Sequence, residues 1–302
     1  KQVRAATDVG VAVVEILRVF TKPGDSILIS SPVYHNFYTW INETQLNLVD
    51  VPFERTGDEA TNPWVLNWEG IETAYASGIK VHLLCSPHNP LGFIYTQQDL
   101  LKIVALAKKH NVLVISDEIH APLTFPGQTF TPMLSLGSDA ESVSICVTAA
   151  SKGWNIAGLK CAIIVSQNEA MNARLATMPM AVHYRASLFG AVASATAYEC
   201  FDWLDSALET MDSNRKFLAK LLREKLPTVG YRIPDFSYLA WLDLAELKLG
   251  ADPSEALLEH GKLALNAGIT FGPESGNFVR LNFATSEEIL SEAISRMVSC
   301  VK

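Results

Sequence analysis

A mostly parallel α/β sheet covered on both faces, followed by a smaller α+β unit, is the fold class that the sequence predicts. Two observations carry this expectation. Between residues 27 and 165, short and nearly continuous apolar runs recur, separated by turns and helical patterns. Strands that read as unbroken apolar runs are buried on both faces, as parallel strands are. After about residue 200 the rhythm changes to long amphipathic helices around short strands. A chain of 302 residues is long enough for one large domain and a smaller one, expected over 1–200 and 201–302.

The elements follow in order. Thr7-Asp8 before the apolar stretch Val9 to Leu17 reads as an N-cap and a buried helix, stopped by Lys22-Pro23-Gly24-Asp25. Residues 27–30 read as a strand closed by Ser31-Pro32, and a second strand is expected from Leu46 to Phe53. The interval 54–68 is polar and broken by Gly57 and Pro63, so it reads as a surface loop. Residues 81–85 form a buried strand ending at Ser86-Pro87-His88-Asn89-Pro90-Leu91-Gly92. A helix over 96–110 carries apolar residues at 100, 103, 104 and 107 on one face. Strand 112–115 runs into Ser116-Asp117-Glu118-Ile119-His120, strand 143–147 runs toward Lys152, and strand 161–165 follows. A helix over 203–226 stops at Pro227, with strands at 229–233 and 238–244. A helix over 253–266, the stretch Ile269-Thr270-Phe271, a strand over 278–283 and a helix from Ser286 complete the chain.

Composition excludes several classes. A hydrophobic fraction of 49% with 19% charged residues is that of a globular enzyme. The net charge of −8, with no block of Lys or Arg, argues against nucleic acid as a partner. No apolar run approaches the roughly 18 residues of a membrane span. The cysteines at 85, 146, 161, 200 and 300 are scattered, odd in number and without a C-x-x-C pair, which fits a reduced cytoplasmic protein. The histidines show no metal-binding spacing. The first residues lack the long apolar region of a signal peptide and enter a helical pattern almost at once, so a longer gene product beginning upstream is expected.

In a parallel sheet, ligands collect beyond the carboxyl ends of the strands. Tyr34, Asn89, Asp117 and Lys152 fall at such ends. Each has a plain alternative: a turn tyrosine, a turn asparagine, a helix N-cap, a solvated lysine. Together they meet the needs of pyridoxal phosphate. Its aldehyde takes a lysine, its pyridine nitrogen a carboxylate, its ring an aromatic partner and its phosphate a helix N-terminus. A lysine desolvated among small residues has the lowered pKa that such chemistry requires.

Longer stretches carry a family resemblance. They are Phe20-Thr21-Lys22-Pro23-Gly24-Asp25, Ser31-Pro32-Val33-Tyr34-His35-Asn36-Phe37-Tyr38, the 86–92 turn, the 116–120 turn and Ser151-Lys152-Gly153-Trp154-Asn155-Ile156-Ala157-Gly158-Leu159. Tyr238-Leu239-Ala240-Trp241-Leu242-Asp243 and Val279-Arg280-Leu281-Asn282-Phe283 complete the set, in order along the chain. The chain resembles the fold-type I pyridoxal-phosphate enzymes of the class I/II aminotransferase superfamily, with an aspartate aminotransferase-like large domain. Within them it is similar to the MalY/PatB-type carbon–sulfur β-lyases. The resemblance implies that Lys152 holds the cofactor and then carries the substrate Cα proton. It implies that Tyr34 stacks on the ring, Asn89 bonds the phenolic oxygen and Asp117 pairs with the pyridine nitrogen. Val9, Gly10 and Ser151 would receive the phosphate, and Arg280 would clamp the α-carboxylate of a small amino-acid substrate.

His120 stands where many aminotransferases of the superfamily carry a tyrosine that bonds the phenolic oxygen, and the Asp-Glu-Ile-His form resembles the lyase branch. A histidine packed for structural reasons is the alternative. The expected reaction is β-elimination on cysteine S-conjugates such as L-cystathionine, giving homocysteine, pyruvate and ammonia. Transamination to a 2-oxo acid is the second reading, and a regulatory pyridoxal-phosphate protein with weak turnover the third. Ala149, where many relatives carry serine, and Lys160, where many carry a phosphate-binding arginine, are departures near the phosphate. Relatives carry several dozen further residues at the front, including an arm and a tyrosine that reach a partner subunit, so a homodimer with a shared active site is implied.

Overall fold

The computed structural model describes residues 2–56 and 63–301. The large unit opens with β1 (Val3–Ala6), α1 (Val9–Phe20), β2 (Ser26–Ile29), α2 (Asn36–Glu43) and β3 (Asn47–Asp50). A small hairpin, β4 (Glu54–Arg55) with β5 (Trp64–Val65), leads into α3 (Trp68–Ala76). Then come β6 (Val81–Cys85), α4 (Gln97–His110), β7 (Leu113–Asp117), α5 (Ser138–Val143), β8 (Ser144–Thr148) and β9 (Ala162–Val165). Seven of these strands form one sheet in the order β1-β9-β8-β7-β6-β2-β3. The pairs from β3 across to β8 are parallel, whereas β9 runs antiparallel to both β8 and β1.

Alternation along the strands makes two cores. Leu28, Leu84 and Val114 face the layer of α3 and α4, among Ile71, Tyr75 and Ile103. Their neighbours Ile27, Ile29, Leu83 and Ile115 face the layer of α1 and α2, among Val13, Leu17 and Phe37. Both faces being covered, β6 and β7 are buried at every position. Asp8 caps α1, its side chain accepting the Val11 N–H at 2.9 Å. A Thr96–Asp99 capping box starts α4, and Asn111 in the left-handed region ends it.

Helices α6 (Glu169–Leu175), α7 (Met180–Tyr184), α8 (Leu188–Ala197) and α9 (Phe201–Lys225) lead to the smaller unit. There β10 (Gly230–Tyr231), β11 (Leu239–Asp243), α10 (Pro253–Gly261), β12 (Asn266–Ala267), β13 (Phe278–Asn282) and α11 (Glu287–Cys300) follow. The sheet order is β10-β11-β13-β12, antiparallel throughout. A third core joins α9, α10 and α11 to this sheet through Leu218, Leu222, Leu257, Leu281 and Ile294.

Several expectations need correction. Residues 3–6 form an edge strand where no element was expected, because Val3 to Ala6 pair with Val165 to Ala162. The strand expected over 46–53 is β3 alone, since its partner β2 ends just before Ser31-Pro32. The strand expected from Val143 starts one residue later, because Val143 closes α5. The helix expected over 253–266 stops at Gly261, where Lys262 takes a left-handed φ of 52°. The strand expected over 229–233 is only the two-residue edge strand β10. Helices α2 and α3 stand where no element was expected. Of the 54–68 loop, 57–62 with Gly57 lie outside the described residues, and its flanks pair as β4 and β5.

Candidate active site

Loops at the carboxyl edge of the large sheet, the start of α1 and strands of the small sheet close around a cavity of about 550 Å³. Its lining includes every site residue expected from the sequence: Val9, Gly10, Tyr34, Asn89, Asp117, His120, Ser151, Lys152 and Arg280. They come from distant parts of the chain, and the topology alone brings them together.

Asp117 ends β7, a central strand paired with β6 on one side and β8 on the other. It is 4% exposed, and its carboxylate accepts the Ile119 N–H at 3.2 Å. It therefore ends a strand and caps no helix. Burial pushes its pKa up to about 7; the Ile119 N–H works against this, Glu118 adds to it, and Lys152 opposes it. Lys152 lies on the turn after β8 and is half-buried. Burial lowers its pKa, and the nearby Arg280 cation lowers it further, against the pull of Asp117.

Asn89 sits in the loop between β6 and α4, buried, with its N–H on Cys85 Sγ at 3.4 Å. Its Oδ1 accepts from Arg280 Nη1 at 3.1 Å. His88 braces the same loop: Nε2 lies 2.8 Å from the Pro32 carbonyl, and Nδ1 lies 2.9 Å from the Tyr95 hydroxyl. That carbonyl belongs to the segment that carries Tyr34. The Tyr34 hydroxyl accepts from Asn36 Nδ2 at 2.8 Å, and its ring lies edge-on to Trp40 at 5.9 Å. Burial raises its pKa.

His120 is both packed and on the cavity. Its ring meets Phe236 and Tyr238, and Nδ1 lies 3.1 Å from Ser237 Oγ. Burial first, then the Lys152 and Arg280 cations, lower its pKa to about 3, so the ring is neutral at physiological pH. Arg280, on β13, gives Nη2 to Asn266 Oδ1 at 3.0 Å and rests 4.7 Å from the Phe271 ring centroid. Its buried Nε has no hydrogen-bond partner among the described residues.

Val9 and Gly10 are the first two residues of α1, whose N-terminal end carries partial positive charge. A Cβ on Gly10 would come within 3.0 Å of the Trp40 ring, so only glycine lets this turn pack there without displacing the indole. Both departures noted in the sequence stand on this cavity. Ala149 is buried, and Lys160 Nζ lies 3.3 Å from the Asp8 carboxylate at the helix cap. Sequence reasoning missed several lining residues. His35 and Asn36 sit inside a motif already singled out, and Trp40 lies one turn further on α2. Asn266, on a two-residue strand, carries no sequence signal.

These residues fit pyridoxal phosphate. A buried carboxylate at the end of β7, without a charged side-chain hydrogen-bond partner among the described residues, suits a protonated ring nitrogen, whose charge would hold it ionised. A half-buried amine of lowered pKa suits the aldehyde. The N-terminal end of α1 on the cavity suits the phosphate, and the Arg280 guanidinium on the same cavity suits a carboxylate.

Comparison with known proteins agrees. The profile of the family "Aminotransferase class I and II" matches residues 2–297. A cystathionine β-lyase of Corynebacterium glutamicum is 37% identical over 283 residues, covering 93% of this chain and 73% of that protein. The cystathionine β-lyase PatB of Bacillus subtilis strain 168 is 32% identical over 285 residues, covering 93% and 73%. The crystal structure of cystalysin from Treponema denticola, which contains pyridoxal 5'-phosphate, matches with a TM-score of 0.91 at 27% identity, covering 99% and 76%. This chain thus belongs to the class I and II aminotransferase family, as a pyridoxal-phosphate-dependent enzyme of its carbon–sulfur lyase branch.

Proposed function

We propose that this protein catalyses β-elimination on cysteine S-conjugates such as L-cystathionine, releasing a thiol (homocysteine), pyruvate and ammonia. The observation that carries the reading is the meeting of Lys152, Asp117, Asn89, His120 and Arg280 on one cavity, in a chain whose relatives bear the name cystathionine β-lyase. Pyridoxal phosphate, when bound, supplies the electron sink that makes the substrate Cα proton removable. Asp117 would hold the ring nitrogen in its protonated form. Asn89 and His120 would hold the phenolic edge, Tyr34 would stack on the ring, and the Val9 and Gly10 N–H groups with Ser151 would hold the phosphate. Arg280 binds the α-carboxylate and orients the Cα–H bond. The Lys152 amine takes the Cα proton, and the electron pair left there expels the thiolate from Cβ. The released aminoacrylate hydrolyses to pyruvate and ammonia.

His120 borders the cavity in the place where many aminotransferases carry a tyrosine, and its resemblance to the lyase form supports elimination over transamination. We take residues 1–200 as the cofactor-holding domain and 201–302 as the small domain, with α9 joining them. We propose a homodimer with a shared active site in the cytoplasm. The exposed apolar side chains Tyr184, Leu188, Phe189, Val192 and Trp203 support a partner surface, and five free cysteines support a reducing compartment. The function is tested by incubating the purified holoenzyme with L-cystathionine. Thiol and pyruvate released in equal amounts are expected. Consumption of the substrate without pyruvate would refute the reading.

A further inference from the structure

We infer that Asn266 is a positioning residue that sets the orientation of the Arg280 fork and so governs recognition of the substrate α-carboxylate. The inference rests on the proposed role of Arg280. Asn266 lies on β12, directly opposite Arg280 of β13 in the antiparallel ladder. Its Oδ1 accepts from Arg280 Nη2 at 3.0 Å, while Asn89 Oδ1 accepts from Nη1 at 3.1 Å. The two amides therefore grip the guanidinium at both terminal nitrogens, and the Phe271 ring supports its face at 4.7 Å. A planar guanidinium held at both ends cannot rotate about its long side chain, so its remaining N–H groups keep one direction.

The chemistry of the grip matters as much as its geometry. Both acceptors are neutral amide oxygens. A carboxylate in either place would orient the fork equally well but would compensate its charge before the substrate arrived. Amides leave the positive charge whole for an anionic ligand. Asn266 itself borders the cavity, which puts the grip within reach of the substrate. The recognised class is an amino acid with a free α-carboxylate, in preference to its amide or ester.

The test compares the holoenzymes of the parent, Asn266→Ala and Asn266→Asp on an S-alkyl-L-cysteine and on the corresponding S-alkyl-L-cysteine amide. For the free acid, Asn266→Ala is expected to raise KM about fivefold to tenfold with kcat nearly unchanged, the effect of losing one partly exposed hydrogen bond to a charged group. Asn266→Asp should raise KM further, because it neutralises the fork. For the amide, neither variant should alter kcat/KM by more than about twofold. Equal losses on acid and amide, or an Asn266→Asp variant that matches the parent, would overturn the inference. Affinity for the non-eliminating ligand L-alanine, read from the cofactor spectrum, supplies the same comparison without turnover. A failure of the elimination reading would leave the parent without pyruvate, whereas a failure of this inference would leave the L-alanine affinity of the variants unchanged.

Discussion

Arg280 Nη1 and Asn89 Oδ1 meet at 3.1 Å, joining a strand of the small sheet to the loop after β6 in the large one. The residue proposed to hold the substrate carboxylate thus touches the residue proposed to hold the cofactor's phenolic edge. Asn89→Ala removes a buried acceptor from a charged donor, a change worth about 1.5–3 kcal/mol. Its kcat/KM for a cysteine conjugate should fall by roughly 10- to 100-fold, with KM rising and the cofactor absorption shifting together. A change confined to the spectrum would mean that the contact does not reach the substrate.

Asp117 makes stability depend on pH. Its pKa rises from 3.8 to about 7 in the folded chain, chiefly through burial. Between those values the folded chain binds a proton that the unfolded chain has lost, so stability must fall as pH rises through this window. The difference corresponds to about 4 kcal/mol for the cofactor-free protein. Melting of cofactor-free protein between pH 4.5 and 8 should show the decline, and Asp117→Asn should flatten it. A bound pyridinium pairs with the carboxylate, so the stabilisation by cofactor should grow toward pH 8. An Asp117→Asn variant with the parent slope would remove Asp117 as the cause.

His120 bears on the choice of reaction. Because its pKa lies near 3, its titration should be absent from activity profiles above pH 5. His120→Gln should leave the pH midpoints of kcat/KM in place while lowering its height. His120→Tyr should raise the ratio of amino transfer to pyruvate release, measured on one substrate with a 2-oxo acid present. A midpoint that moves with His120→Gln would show that the imidazole titrates in the working range.

Gly10 is tested by its near neighbour. An added methyl at 3.0 Å from Trp40 forces the indole or the helix start to shift. Overpacking of this kind costs about 1–3 kcal/mol. Gly10→Ala should melt lower and bind pyridoxal phosphate more weakly, both measured by titration into cofactor-free protein. Unchanged affinity would show that the packing of Gly10 against Trp40 does not shape the phosphate site.

Much of this site was legible before the fold was known, for a physical reason. Asp117, Asn89 and Lys152 follow apolar runs long enough to be read as strands, and the ends of parallel strands share one edge. The turns at 86–92 and 116–120 add local signatures. The unread parts depend on contacts that no local pattern encodes. Residues 3–6 become a strand only because β9 folds back beside them, and they are too few to alternate clearly. Helix α2 is eight residues long, and its aromatic face is explained by packing near α1. Asn266 gains its place from the ladder partner Arg280, fourteen residues away, on a strand too short to read.

The central claim is that this pocket eliminates rather than transaminates. One measurement bears on it most directly. The holoenzyme is given L-cystathionine together with a 2-oxo acid, and pyruvate, thiol and the new amino acid are quantified in the same sample. Equimolar pyruvate and homocysteine are expected, with amino transfer at least about tenfold slower and loss of both in Lys152→Ala. Rapid formation of the new amino acid with little pyruvate would contradict it.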